Sequence, residues 1–260
     1  MAPRARLNPL RPALAPRPRH LRRERLRLRD GARTTLYVAR YDLRRTDVRV
    51  VRLARPAPLE AYCRDGGWNE AIGGGFYERP SLTPLGELVT GGVTRPHVPF
   101  AAPYGDLRAC LHVAGGGVAI DRRDRLPADP VGDLLQAGPL LVHGGAPLAG
   151  DAEGFSAGSH QFDSDITAGR HPRAAIGLTR RGELLAVACD GRADDEAGLT
   201  MRELAEAMAA LGATQAMNLD GGGSTSLVCA GRLRNVPREA HGIGLPGGRV
   251  VPTAIVFRPR

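Results

Sequence analysis

The chain contains no lysine: all 36 basic residues are arginine. A phosphate-binding P-loop, which needs Gly-Lys-Ser/Thr, is therefore excluded. Cysteine is scarce. Cys63, Cys110, Cys189 and Cys229 include no close-spaced pair, so the sequence carries neither a disulfide framework nor a zinc-type spacing. Cys189 and Cys229 lie in apolar runs, where free buried thiols are expected, in keeping with a reducing, cytoplasmic setting. No apolar run approaches the roughly 20 residues of a membrane span. No run of about seven apolar residues follows the N-terminal charges, so a secretory signal peptide is not expected. The hydrolase nucleophile elbow G-x-S-x-G is missing too, since Ser224 stands in Gly222-Gly223-Ser224-Thr225-Ser226.

What is present begins with charge. The net charge is +9, but residues 1–30 hold ten Arg against Glu24 and Asp30, which is +8 and leaves 9 − 8, about +1, for residues 31–260. The basicity belongs to the tail, and the body is close to neutral. The tail has too few large apolar residues to pack, so a disordered Arg/Pro-rich leader is expected over 1–30 and a single domain over 31–260. Nucleic-acid binding is expected only through that tail.

Gly (34) and Pro (21) are abundant, which predicts many turns and short strands. "TTLYVARYDL" and "TDVRVVRLA" alternate like strands and predict a hairpin through "RRT". "PLEAYCRDGG" predicts a short helix stopped by glycine. "DLRACLHVAGGGVAID" predicts a glycine-turned hairpin, and "LLQAGPLLVHGG" a buried strand broken at Gly138-Pro139. Residues 151–170 predict a long polar loop. "RAAIGLTRRGELLAVACDG" predicts two strands joined by a turn. "LTMRELAEAMAALG" predicts a helix, with Thr200 and Glu203 as its capping box. "TQAMNLD" predicts a strand ending on Asp220. The expected fold class is α+β, with mixed, largely antiparallel sheets, few helices and one βαβ unit in the C-terminal third.

In that unit Asp190 and Asp220 end two parallel strands, so both carboxylates arrive on one sheet edge, and they share one pocket if the strands are neighbours. Arg173 and Arg249 are the cations expected beside them. After Asp220 come Gly221, Gly222 and Gly223, whose bare amides suit an anion, with Ser224 and Thr225 adding hydroxyls. A dinucleotide fingerprint needs a helix at such glycines, whereas "STSLVCAG" reads as a strand.

"MNLDGGGSTSLV" resembles the hallmark of the phosphodiester glycosidase domain family. "AIGGGFYERPSLTPLGELVTGG", "QAGPLLVHGG", "HPRAAIGLTRRGELLAVACDGR", "RNVP" and "RVVPTAIVF" are similar to further motifs of that family, in the same order. Together they cover about residues 34–257. One position departs: the family carries Asn before its Gly-Gly-Phe, and Gly73 stands there.

The resemblance implies hydrolysis of a sugar 1-phosphodiester between the anomeric carbon and the phosphate oxygen, without metal or cofactor. The substrate is a small or polymer-linked sugar phosphodiester. Asp220 is expected as nucleophile or as base for water, and Asp190 as its partner or orienter. Arg173, Arg249, Gly221, Gly222, Gly223, Ser224, Thr225 and Asn218 are expected to bind substrate, with Glu78, Glu203 and His171 as weaker candidates. Three alternatives stand beside this reading. They are a non-catalytic sugar-phosphate-binding module, a nucleic-acid tether through the tail, and a metal-dependent phosphodiesterase with Asp163, Asp190 and Asp220 as oxygen ligands.

Overall fold

The computed structural model describes residues 20–148 and 169–260. Most of the polar loop expected over 151–170, Asp163 included, lies outside the described residues. With strands numbered along the chain, the first sheet runs β1 (Leu21–Arg27), β2 (Arg33–Asp42), β13 (Glu183–Cys189), β12 (Arg173–Thr179), β14 (Ala213–Asn218), β10 (Leu140–His143) and β11 (Ala146–Pro147). The second runs β16 (Arg232–Leu233), β15 (Leu227–Cys229), β4 (Glu70–Gly73), β17 (Val250–Pro259) and β3 (Thr46–Pro58). The third runs β6 (Val93–Thr94), β5 (Leu88–Thr90), β9 (Asp133–Gln136), β7 (Ala109–Ala114) and β8 (Gly117–Arg122). The fold is α+β, and every ladder between named strands is antiparallel.

The main core lies between the sheets and draws on all three, through Ile72, Leu111, Ile120, Leu135, Ile176, Met217, Ile255 and Phe257. The outer face of the first sheet is covered by α3 (Met201–Ala210), whose Leu204 and Met208 pack with Leu36, Val38, Leu185 and Val187. Burial on both faces explains why β12 and β13 read as continuous apolar runs rather than alternating ones. The second sheet is backed by α1 (Leu59–Gly66), which stops where Gly67 takes φ +69°; Leu59 and Cys63 of α1 pack there with Leu53 and Val256, and a single turn, α2 (Tyr104–Leu107), leads into β7. Each of α1 and α3 buries one apolar stripe on a sheet face, which is what stabilises so short a helix.

Three expectations are corrected here. The leader is not disordered throughout 1–30: Leu21–Arg27 form β1, paired along its length with β2, while residues 1–19 lie outside the described residues. β2 and β3 do not form a hairpin. Both edges of β2 are taken by β1 and β13, so β3 turns away after residue 45 and pairs with β17. β13, α3 and β14 follow as strand, helix, strand, but the two strands are not neighbours. The tight turn at Gly182 (φ +74°) lays β12 against β13, and only the far edge of β12 is left for β14. β13 and β14 thus run in the same direction with β12 between them, about two strand spacings, or roughly 9–10 Å, apart.

Candidate active site

β14 ends at Asn218, and the next two residues carry the chain from the first sheet to the second. Leu219 N–H bonds the Ala174 carbonyl at 2.9 Å, and Asp220 N–H bonds the Gly74 carbonyl at 3.1 Å. Asp220 therefore stands on the seam between the sheets. The partner corner, Gly73–Gly75, is glycine because backbone crosses there at close range. A Cβ on Gly74 would come within 2.4 Å of Thr253 Oγ1, and one on Gly73 within 3.0 Å of the Ser224 carbonyl. Gly73 N–H also bonds the Ser226 carbonyl at 2.9 Å. The Asn of the family pattern has no room here unless the Ser224 loop shifts.

Asp220 is partly exposed, and its Oδ1 accepts the Gly221 N–H at 2.9 Å. Burial of the carboxyl pushes its pKa up to about 6, against the Ser224 hydroxyl, Arg249, the Gly221 N–H and Arg79, which all favour the charged form. Ser224 is buried. Its Oγ lies 3.3 Å from the Tyr77 hydroxyl and 3.4 Å from an Arg249 terminal nitrogen. Tyr77 in turn donates to the Val250 carbonyl at 3.0 Å. Arg249 is gripped by Glu239 through Nε (2.5 Å) and a terminal nitrogen, and this pair holds the Glu239 carboxyl below its ordinary range.

The three glycines after Asp220 are not an open nest of amides. The Gly221 amide is taken by Asp220 and the Gly222 amide by the Pro172 carbonyl at 2.9 Å. The glycines matter instead for closeness. Gly222 has φ +60°, and a Cβ there would lie 3.1 Å from an Arg192 terminal nitrogen; one on Gly223 would lie 2.9 Å from Glu239 Oε1. Arg192 also contacts His171 Nδ1 at 3.1 Å and donates to the Arg238 carbonyl at 3.2 Å. Arg192 itself has φ +60°, a conformation costing a non-glycine residue on the order of 1 kcal/mol, which structures retain mostly where a side chain must be aimed.

Of the expected site residues, Asp220, Gly221, Gly222, Gly223, Ser224 and Arg249 come together, with His171 reaching them through Arg192. The others are placed differently. Asp190 is buried; its Oδ1 accepts the Val236 N–H at 2.7 Å. Burial pushes its pKa up to about 6, the Val236 N–H opposing and Glu196 adding to the rise. The groups acting most strongly on it, Val236, Glu196, Tyr37 and Arg238, differ from those acting on Asp220, and β12 lies between the two strands. Arg173 is buried and donates to the carbonyls of Leu199 (2.9 Å) and Gly169 (3.0 Å), which anchors the start of β12. Asn218 is buried with Nδ2 on the Leu219 carbonyl at 2.7 Å. Thr225 is fully buried, and its hydroxyl has no hydrogen-bond partner among the described residues. Glu78 is exposed. Glu203 completes the capping box with Thr200 and pairs with Arg170 at 2.5 Å.

Four residues at the site were missed by sequence reasoning: Tyr77, Arg79, Arg192 and Glu239. Arg192 had a signal, since it closes the Asp190-Gly191-Arg192 triplet. Tyr77 follows the glycine corner directly. Glu239 sits two residues beyond Pro237 in a loop whose fold no local pattern specifies.

The phosphodiester glycosidase family model matches residues 66–258. The chain is 37% identical over 201 residues to the human N-acetylglucosamine-1-phosphodiester alpha-N-acetylglucosaminidase, covering 71% of this chain and 36% of that protein. To the Bos taurus protein of the same name it is 28% identical over 195 residues, with the same coverage. The chain thus spans about a third of the length of the curated relatives it matches. Its fold superposes on the zebrafish N-acetylglucosamine-1-phosphodiester alpha-N-acetylglucosaminidase catalytic domain, auto-inhibited by pro-peptide. The TM-score is 0.71 at 18% identity, over 92% of this chain and 82% of that one. A hypothetical protein from Synechocystis gives a TM-score of 0.64 at 20% identity, over 92% of this chain and 62% of that one. With 193 residues matched in order (66 to 258), the chain belongs to the phosphodiester glycosidase family.

Proposed function

We propose that this chain hydrolyses a sugar 1-phosphodiester at the bond between the anomeric carbon and the phosphate oxygen, releasing free sugar and a phosphomonoester. The observation that carries the proposal is Asp220: a carboxylate hydrogen-bonded on the seam of the fold and edged by Arg249, Arg79 and, through Gly222, Arg192. A substrate with one negative charge suits such a surround, and guanidinium groups hold phosphate oxygens in pairs.

The chemistry follows from the leaving group. A departing phosphomonoester has a second pKa near about 6, so it leaves without a strong acid, and arginines stabilise the charge it gains. With its pKa near about 6, Asp220 is ionised at neutral pH. It takes a proton from water as the water oxygen bonds the anomeric carbon, or it attacks that carbon itself and is released by water afterwards. In both courses the anomeric C–O bond breaks and its electron pair leaves with phosphate. The two differ in the anomer first released. Asp190 acts as an orienter: through Val236 it fixes the loop that carries Glu239, the partner of Arg249. No step requires a metal ion, and a cytoplasmic setting remains our expectation.

The test is hydrolysis of a panel of sugar 1-phosphodiesters, alpha-N-acetylglucosaminyl ones included, by wild type, Asp220→Asn and Asp220→Ala in oxygen-18 water. Label in the sugar, lost with either variant, supports the proposal. Sugar 1-phosphate with label in the phosphate indicates a phosphodiesterase instead. Tight sugar-phosphate binding without turnover identifies a binding module.

A further inference from the structure

The second sheet carries another convergence of reactive side chains, at the far end of β4 from the Gly73–Gly75 corner. Nδ1 or Nε2 of His20, a carboxylate oxygen of Glu70 and Sγ of Cys229 lie within 4.8 Å of one another. We propose that these three residues form a binding site for a divalent cation of the zinc class, independent of the chemistry at Asp220.

The register builds it. β15 and β4 pair Leu227 with Ile72 and Val228 with Ala71, which brings Cys229 level with Glu70. Ile72, Leu227 and Cys229 all join the main core, so Cys229 and Glu70, two residues along from Ile72, present their side chains on that same face. His20 arrives from the residue before β1, where its carbonyl accepts the Arg40 N–H at 3.0 Å. The ligand set is thus drawn from both main sheets, across 50 and then 159 positions (70 − 20 and 229 − 70). That separation explains why no zinc spacing is legible in the sequence.

The donor types select the ion. Imidazole, carboxylate and a potential thiolate suit zinc or cobalt and disfavour magnesium and calcium, which prefer all-oxygen shells. The groups behind the donors are those a metal site uses to hold its ligands. Glu70 Oε1 accepts the Ala230 N–H at 2.9 Å, and the Tyr41 hydroxyl donates to Oε2 at 2.8 Å. Tyr41 is itself fixed by stacking on Phe257, with centroids 4.3 Å apart. Its hydroxyl lies 3.8 Å from Cys229 Sγ, and Arg234 grips the Cys229 carbonyl at 2.5 and 2.9 Å.

Without an ion, the His20–Glu70 contact at 2.9 Å is an ordinary ion pair or hydrogen bond. A tetrahedral zinc with bonds of roughly 2.0–2.3 Å separates its ligand atoms by about 3.3–3.8 Å. That requires the 2.9 Å His20–Glu70 contact to open slightly, with Sγ already inside the 4.8 Å cluster. The His20 side chain is 33% exposed, which leaves the site a route for entry and a water for the fourth position. Four residues of extended strand, about 13 Å, separate Glu70 from Gly74, so the ion would clasp the two sheets rather than touch the substrate.

The experiment uses the untagged 260-residue chain, stripped with chelator under a non-thiol reductant and titrated with cobalt(II), then zinc. Expected is a thiolate-to-cobalt charge-transfer absorption that saturates at one ion per chain and is displaced by zinc. Cys229→Ser is expected to abolish it, while His20→Ala and Glu70→Gln weaken binding by at least about tenfold. Zinc should raise the Tm of the stripped wild type and leave the Tm of Cys229→Ser unchanged. Absence of the band in wild type, or its persistence in Cys229→Ser, overturns the site. Should Cys229→Ser fail to fold by circular dichroism, His20→Ala decides: an undiminished zinc-induced rise in Tm there overturns it equally.

Discussion

Glu239 and Arg249 are joined along one edge of the guanidinium, and another nitrogen of the same group reaches Ser224 Oγ at 3.4 Å. Because both the Ser224 hydroxyl and Arg249 favour the ionised form of Asp220, the charge of Glu239 is linked to that of Asp220 through Arg249. Arg249→Gln removes a cation that favours ionised Asp220. The acid limb of the kcat/KM profile should therefore move to higher pH, and the pH-independent kcat/KM should fall by about 10²-fold, as for loss of one charge-stabilising donor. Glu239→Gln leaves the Arg249 charge uncompensated, so the same limb should move to lower pH. Rate profiles over pH 4–9 separate the two variants by the direction of the shift.

Asp190 makes the opposite kind of prediction, one about stability. Its folded pKa of about 6 lies above the ordinary aspartate value of 3.8, so the native state binds more protons than the unfolded chain between those two values. Stability is therefore expected to fall as pH rises from about 4 to about 6, and the cost persists at neutral pH. Asp190→Asn keeps an oxygen for the Val236 N–H and removes the buried charge. Urea denaturation should find the variant more stable than wild type at pH 7.5, by on the order of 1–3 kcal/mol, and indistinguishable at pH 4. Equal stability at pH 7.5 would sink the idea that the buried carboxylate is costly.

Gly73 offers a test of close approach. An added Cβ meets the Ser224 carbonyl at 3.0 Å, so Gly73→Ala must push the Ser224 loop by a few tenths of an ångström. Displacing a site group is expected to lower kcat by about tenfold or more, with a loss of stability of only about 1 kcal/mol. Parallel kinetics and thermal melts check the disproportion.

Glu203 separates structure from chemistry. Its carboxylate accepts the Thr200 N–H at 2.9 Å and holds Arg170. Glu203→Ala should cost about 1 kcal/mol of stability through the lost cap, with kcat unchanged at temperatures where the variant is folded. A kcat loss beyond tenfold would return Glu203 to the catalytic set.

What the sequence disclosed, it disclosed through local chemistry. The Thr200–Glu203 box and the glycine turns after α1 and between β12 and β13 each satisfy backbone groups within a few positions, so a linear pattern suffices. Asp220 stood out because a carboxylate followed by three glycines has few structural uses, and the structure sets it where β14 leaves the first sheet. Pairing partners were not legible. Nothing in "TTLYVARYDL" tells that β1 and β13 occupy both its edges, and nothing near Asp190 tells that β12 separates it from Asp220. Arg173 shows the same limit: its bonds to the Leu199 and Gly169 carbonyls join segments far apart in the chain or at its own strand start, and no local pattern announces them. Glu239 and Arg192 meet the glycine loop only in three dimensions.

The amide of Asp220 bonded to the carbonyl of Gly74 has a meaning for the whole molecule. That contact ties the end of β14 in the first sheet to the end of β4 in the second, so loosening the site loosens this junction, and parting the two sheets there breaks the contact. A ligand bound at Asp220 therefore acts as a rivet through the domain. Its binding energy should appear as slowed hydrogen exchange in strands far from the substrate, along β12 and β17 as much as in the loop it touches.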